Sequence, residues 1–363
     1  MIELIAGKDD DGRRLDRIIR KALPDYPLSL IHRLLRQKKI LVDNNPATPN
    51  HRIKQGMVIQ VLAPVNHTSN QVNQDNVNHK KSMVNKTLGA PVPSPQSLIP
   101  ILWHGSGIIV LNKPQGLSTH GPNSLDLIVN AWLAKEGALP HSLSFRPGPL
   151  HRLDKPTSGA IVFSQTLEGA RLFSALLRER KIEKTYIAIV EGRIEEEKGS
   201  GIGDQGSGNE ENKRIENGEI IWRDTLTHDK KTRKSFIETP YAYGEQLPVP
   251  SPQSPVPSPQ NAVTTVKTLA SNGEYSLIEA TIKTGRHHQI RAQAASHGHP
   301  LAGDIKYGAK PLPGQSRGGG FFLHAWKIRF NECPDGFPQE IIAPLPEAFQ
   351  ARIEALFNSQ RKY

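Results

Sequence analysis

Residues 149–159, PLHRLDKPTSG, bring His151, Arg152 and Asp154 within four positions of one another. A carboxylate beside two cationic side chains can act as a nucleophile, a general base or a metal ligand. The four residues PTSG then make a turn, and AIVFS (160–164) reads as an apolar, β-branched strand. A loop entering a buried strand holds such a carboxylate on a rigid support while leaving one side open to solvent. An Arg-x-Asp pair alone reads first as a surface ion pair, so the companion stretches decide. KTYIAIVEG (184–192) alternates, placing Tyr186, Ala188 and Val190 on one strand face and Thr185, Ile187 and Ile189 on the other. YSLIEATIKTGRHHQIRAQAASHG (275–298) reads as strand, tight turn and helix, with the helix starting at Arg286 and stopped by Gly298. Ile290, four residues on, shares a face with Arg286. His287 and His288 are neighbours whose side chains diverge on a helix, and no carboxylate cluster joins them, so a metal site is not expected.

The elements that must position these residues belong to a larger unit over 98–350. IIVLNKPQGLSTH (108–120) reads as a buried strand followed by a Lys-Pro turn, and AWLAKEGAL (131–139) as helix. Thr166 caps a helix that buries Leu172, Phe173, Leu176 and Leu177. WRDTLTHDKKTRKSF (222–236) can rejoin the sheet, FFLHAWKIRF (321–330) and EIIAPLPEAF (340–349) complete it, and 351–363 forms a terminal helix and tail. Strand-rich segments with helices between them predict an α+β fold with a mixed, mostly antiparallel central sheet.

Residues 1–63 read as a separate small basic α+β module. One helix opens at Asp11 or Gly12 and runs through Leu23, turning Leu15, Ile18 and Ile19 inward and Arg13, Arg14, Arg17, Arg20 and Lys21 outward. Ser29 caps a second, which buries Leu30, Ile31, Leu34 and Leu35 and exposes Arg33, Arg36, Lys38 and Lys39. ILV (40–42) and MVIQVL (57–62) are short strands. Between the units, 64–99 has a linker's composition, which cannot bury enough apolar surface to offset its ordering entropy. The hexapeptide PVPSPQ recurs at 91–96, 248–253 and 255–260, and a low-complexity insertion is expected over about 195–262.

The whole chain has 363 residues and 29 prolines, with 36% hydrophobic residues. That is enough for two or three domains and proline-rich enough that part of it stays unpacked. A net charge of +11 points to a polyanionic partner. The single cysteine, Cys333, excludes an internal disulfide framework and a cysteine-based zinc site. With no apolar run of signal-peptide or membrane-spanning length, a soluble, cytoplasmic protein is expected, a monomer by default.

HRLDKPTSG, KTYIAIVEG and TGRHHQIR, with KPQGLSTH, GHPLAGDIKYGA (298–309) and LHAWKIRF (323–330), resemble in order and spacing the RluA-type pseudouridine synthases. The module ahead of them resembles the RNA-binding module first known from ribosomal small-subunit protein four. The resemblance implies the pseudouridine synthase fold and isomerisation of uridine in structured RNA, with no cofactor and no metal. It assigns Asp154 as the carboxylate that starts the reaction, Arg286 as its salt-bridging arginine and Tyr186 as the aromatic that stacks on an extruded uracil. Ile290 packs beside the base, with His151 and Arg152 as further substrate contacts. The basic module implies phosphate contacts by Arg14, Arg17, Arg33, Arg36 and Lys38. His287 stands where many members carry Ser or Thr, which should alter RNA contacts and not the chemistry. Ribosomal RNA is the first-choice substrate and transfer RNA the second. The competing readings are a non-catalytic RNA-binding or ribosome-assembly protein and a carboxylate hydrolase, which would need a second positioned carboxylate.

Overall fold

The computed structural model describes residues 1–62, 99–137, 142–194, 213–216, 219–229, 232–237, 259–312 and 320–357. The linker expected over 64–99 and the PVPSPQ tracts lie almost wholly outside the described residues.

The amino-terminal unit pairs β1 (Ile2–Ile5), β2 (Ile40–Val42), β3 (Asn45–Pro46) and β4 (Val58–Val61) in the order β1-β4-β2-β3. Helices α1 (Leu15–Ala22) and α2 (Leu28–Arg36) cover it. Leu15, Ile18 and Ile19 from α1 and Ile31, Leu34 and Leu35 from α2 form its core with Ile40, Ile53, Ile59 and Val61. Both helices start elsewhere than expected. Residues 12–14 are pulled into extended pairing with 51–53, where Gly12 N–H donates to Ile53 O, Ile53 N–H to Arg13 O and Leu15 N–H to His51 O. That holds the chain extended up to Arg14. The second helix begins after Pro27, whose carbonyl takes the Leu30 and Ile31 amides, so Ser29 lies inside the first turn.

The larger unit is built on a twelve-stranded sheet. Its strands are β5 (Ile101–Gly105), β6 (Ile108–Lys113), β7 (Gly148–Pro149), β8 (Ser158–Ser164), β9 (Ile182–Glu191), β10 (Lys213–Glu216), β11 (Glu219–Asp229), β12 (Lys234–Ile237), β13 (Gln260–Ser271), β14 (Tyr275–Ile282), β15 (Leu323–Phe330) and β16 (Glu340–Ile342). The main path runs β10-β11-β13-β14-β9-β15-β8-β6-β5, and every pairing is antiparallel except β15 with β8. Helices α3 (Leu125–Lys135), α4 (Leu167–Arg178), α5 (Gln289–Ser296) and α6 (Glu347–Phe357) pack on it. A mixed α+β fold follows, as alternation in the strands requires. Tyr186, Ala188 and Val190 of β9 enter the main core, whereas Ile187 and Ile189 pack on the opposite face with Phe349 of α6.

Three segments differ from expectation. α3 begins at Leu125, six residues early, because Leu125, Val129 and Leu133 recur at helical spacing and are all buried. The span 195–262, expected to return to the sheet only over 222–236, contains β10 and the start of β13 as well as β11 and β12. It joins the sheet because Trp222, Asp224 and Leu226 alternate inward, Trp222 stacking on His297 at 5.0 Å. α6 starts at Glu347 instead of 351, where Phe349 meets Phe322 edge-on at 5.2 Å; residues 358–363 lie outside the described residues.

The two units meet at Asp10. Its carboxylate is fully buried and accepts from the amides of Gly7, Leu143 and Ser144 and the hydroxyls of Ser142 and Ser144. Arg13 Nη1 donates to the Ser144 hydroxyl at 2.7 Å, and Leu143 packs against the amino-terminal core. The basic module is thereby tied to the loop that follows α3.

Candidate active site

Asp154 sits in the turn between β7 and β8, where Thr157 N–H donates back to its carbonyl at 3.0 Å. Two devices fix this turn. Gly159 runs so close to β15 that a Cβ would lie 2.3 Å from Ala325 O, and its φ of +109° suits glycine alone. The 113–119 segment braces the other side, with Lys113 Nζ donating to the carbonyls of Pro114, Leu117 and Lys155 and Thr119 Oγ1 donating to Leu153 O at 2.9 Å. Burial pushes the Lys113 ammonium down to about 8, against the pull of Asp154.

The carboxylate of Asp154 keeps about a quarter of its side chain exposed, with Arg291 Nη1 donating to its Oδ2 at 2.9 Å. Arg291 is itself locked. Its Nε and Nη2 take both oxygens of buried Asp304 at 2.7 and 2.9 Å, and its guanidinium lies over the rings of Tyr307 and Phe321 at 4.8 and 4.3 Å. Burial alone would weaken this cation, but the Asp304 bonds and both carboxylates hold its pKa above the ordinary value. Arg286, expected in this place, is exposed, and its Nε reaches only Asn261 O at 3.5 Å. The reason is the helix register. α5 begins at Gln289, not Arg286, because Gln289 Oε1 accepts from Arg286 N–H and the Thr284 hydroxyl and so closes a turn over 284–288.

That turn also overturns the expected divergence of the histidines. His288 has φ +53°, a left-handed conformation, and its ring stacks on His287 at 3.8 Å; His287 in turn meets His228 at 4.1 Å. Burial, then the Arg291 charge and His287, depress His288 to about 2, so its imidazole is neutral. Its tautomer follows from its neighbours. Ser235 N–H donates to Tyr307 Oη at 2.9 Å, and with a carboxylate oxygen facing Nε2, the Tyr307 hydroxyl is placed to donate to His288 Nδ1 at 2.8 Å. The His288 proton then sits on Nε2, which faces Asp154 Oδ2 at 3.5 Å.

Tyr186 and Ile290 line the same recess as Asp154 and Arg291, a space of about 60 Å³ opening into a cleft of about 950 Å³. Burial, and next the Asp154 charge, hold the Tyr186 hydroxyl protonated well above its ordinary range. Arg152 is exposed on the cleft rim. His151 lines the wall, but its Nε2 accepts from Val162 N–H at 3.1 Å, and burial lowers it to about 3, so it serves first as a neutral strut for the loop. Lys184 of β9 reaches the cleft floor, its pKa lowered to about 8 by burial. In the amino-terminal unit Arg17, Arg33, Arg36 and Lys38 are exposed, whereas Arg14 is drawn onto Asp16 by Nε and Nη2 at 3.1 and 2.7 Å. Arg14 is therefore less available to a phosphate than its neighbours.

Sequence reasoning missed Arg291, His288, Tyr307, Asp304, Lys113 and Lys184. One signal was available. An arginine inside QIRAQAAS, a helix of small residues that buries Gln289 through Ala294, has to be paired.

The cleft is rimmed by cations and holds one carboxylate, Asp154, clamped by Arg291, an arrangement suited to a polyanionic ligand. Residues 107–296 match the family described as RNA pseudouridylate synthase, and residues 13–59 match the S4 domain. The chain belongs to the RNA pseudouridylate synthase family and is an isomerase. It is 25% identical to the ribosomal large subunit pseudouridine synthase C of Haemophilus influenzae over 98% of this chain and 95% of that protein. It is 29% identical to the ribosomal large subunit pseudouridine synthase D of Neisseria meningitidis over 93% of this chain and 76% of that one. The solved structure of human RNA pseudouridylate synthase domain containing 4 shares the fold, with a TM-score of 0.51 and 20% identity, covering 70% of this chain and 91% of that one. No described helix is long and apolar enough to cross a membrane.

Proposed function

We propose that this protein converts uridine to pseudouridine in large-subunit ribosomal RNA, with Asp154 as the group that starts the reaction. The observation that carries the reading is the Arg291 guanidinium fixed on Asp154 by the second carboxylate of Asp304. The clamp fixes the Asp154 carboxylate in the recess, placed to attack the ribose, attack the base or take a sugar proton. All three routes end alike: the N-glycosidic bond breaks, the uracil turns and a carbon–carbon glycosidic bond forms.

The target must leave its stack to reach the recess. The Tyr186 ring offers a face in place of the lost stacking, and Ile290 an apolar edge. With its proton held tightly, the Tyr186 hydroxyl is a donor and not a base. The choice of ribosomal RNA over transfer RNA rests on the curated relatives, which the chain matches over nearly its full length. The exposed cations of α1 and α2 supply phosphate contacts that position RNA without reading sequence. Carbodiimide-dependent primer extension on ribosomal and transfer RNA, from cells with and without the protein, tests the proposal. Loss of a large-subunit site supports it; loss of a transfer-RNA site alone overturns the substrate, and no lost site overturns the function.

A further inference from the structure

Arg286 makes no ion pair with Asp154 but lines its recess and cleft, and it stands where the cleft opens into a second cavity of about 660 Å³. Arg180, Lys283, Thr284 and Arg286 line both spaces, and Arg223 lines the second alone. The sheet ladder brings these cations together. Arg223 on β11 faces Val263 on β13, and Lys283 follows the Thr264–Ile282 pair on β14 by one residue. Arg180 enters from the turn after α4. All four cations are exposed, and among the described residues no carboxylate lines the cavity and none of the four has an ion pair.

We propose that this cavity holds the backbone of the RNA strand running out of the Asp154 cleft, as a phosphate-binding track separate from the amino-terminal module. Four like charges gathered with no counter-ion among the described residues favour an anion, and a row of them favours a polyanion. The neutral Asn261, Thr265 and Thr284 side chains beside them suit phosphate and sugar oxygens, contacts that fix register without reading bases. Continuity with the cleft makes the occupant RNA: a strand whose uridine enters at Asp154 must pass Arg286, and its next phosphates meet Lys283 and Arg223.

The inference rests on the proposed function and is tested with the full-length protein and a transcript of large-subunit ribosomal RNA. Dissociation constants would be measured across a salt series for the wild type, Arg223→Gln, Arg223→Gln/Lys283→Gln and Lys135→Gln. The last is a charge-matched control on α3, outside both cavities. Losing one phosphate contact should lower the salt slope by about one and weaken binding about five-fold near 0.15 M salt. Arg223→Gln should show that loss, the double variant about twice the slope change, and Lys135→Gln neither. Groove variants that match Lys135→Gln would overturn the track. Conversion of the transcript by the wild type, followed in the same preparations, separates the two failures: an inactive wild type refutes the proposed function, and an active one with unchanged groove variants refutes the track alone.

Discussion

Arg291 Nη1 meets Asp154 Oδ2 at 2.9 Å while Asp304 grips the same guanidinium through Nε and Nη2. Asp304 never reaches the cleft, being 2% exposed, yet it sets where the cation on Asp154 can lie. Asp304→Asn keeps the shape and removes the charge. Turnover should fall about 100-fold, the order of loss expected when a reacting group is misplaced by about an ångström. Arg291→Lys should do at least as much, since an ammonium cannot bridge two carboxylates with a fork of donors. Single-turnover rates at saturating RNA read this directly. If Asp304→Asn kept the wild-type rate, the clamp would be structural only.

The Tyr307 hydroxyl pairs with His288 Nδ1 at 2.8 Å, and a proton donated there leaves the ring's own proton on Nε2, toward Asp154. Tyr307→Phe deletes that hydroxyl and little else. The maximal rate should drop about ten-fold, equivalent to about one hydrogen bond to a charged group. Tyr307→Phe added to His288→Gln should cost nothing further, because the two act in series. Additive losses in this double-mutant cycle would contradict the series.

Burial is the leading cause of depressed values at His288, about 2, and at His324, about 4. Both stay neutral in the fold while the unfolded chain protonates below about 6.5. Stability from this source is therefore complete above about pH 6.5 and is lost as pH falls toward the folded-state values. Each histidine steepens the decline by at most about 1.4 kcal/mol per pH unit. Urea midpoints should fall steadily from pH 7 to pH 5, and His324→Gln should flatten the slope. A pH-independent midpoint would contradict burial of neutral rings.

Asp10 joins the basic module to the catalytic unit. Burial opposes its charge, but hydrogen bonds from Ser144, Leu143, Gly7 and Ser142 prevail, and its carboxyl stays below the ordinary range. Asp10→Ala strands those donors at a cost of about 3 kcal/mol. The loosened module should raise KM for RNA more than it lowers the maximal rate, and protease should cut sooner between the units. Unchanged KM and unchanged cleavage would mean that the contact does not fix the module.

Strand alternation made the faces of β9 legible in the sequence, because period two needs no long-range information. Thr166 likewise declares its own helix start, its hydroxyl accepting from Gly169 N–H at 3.1 Å. The salt-bridging arginine was not legible in this way. Arg286 and Arg291 stand five residues apart, and which one faces Asp154 depends on a helix register set by the Gln289 side chain and by a left-handed His288. That conformation is supported by Tyr307 and Ser235, distant in sequence. Asp10 was illegible for the same reason, its partners in the larger unit lying more than 130 positions away. Inside 195–262 the return of 222–236 to the sheet was legible, Trp222, Asp224 and Leu226 alternating, whereas the strands at 213–216 and from Gln260 were obscured by neighbouring charged and Pro, Ser and Gln tracts.

The most direct test of the central claim is Asp154→Asn, with pseudouridine formation and RNA affinity measured on the same ribosomal transcript. The substitution preserves size and removes the charge that Arg291 faces. The account predicts turnover reduced below detection and a dissociation constant within a few-fold of wild type, because exposed cations elsewhere carry the affinity. A variant that still isomerises uridine at the normal rate would contradict it.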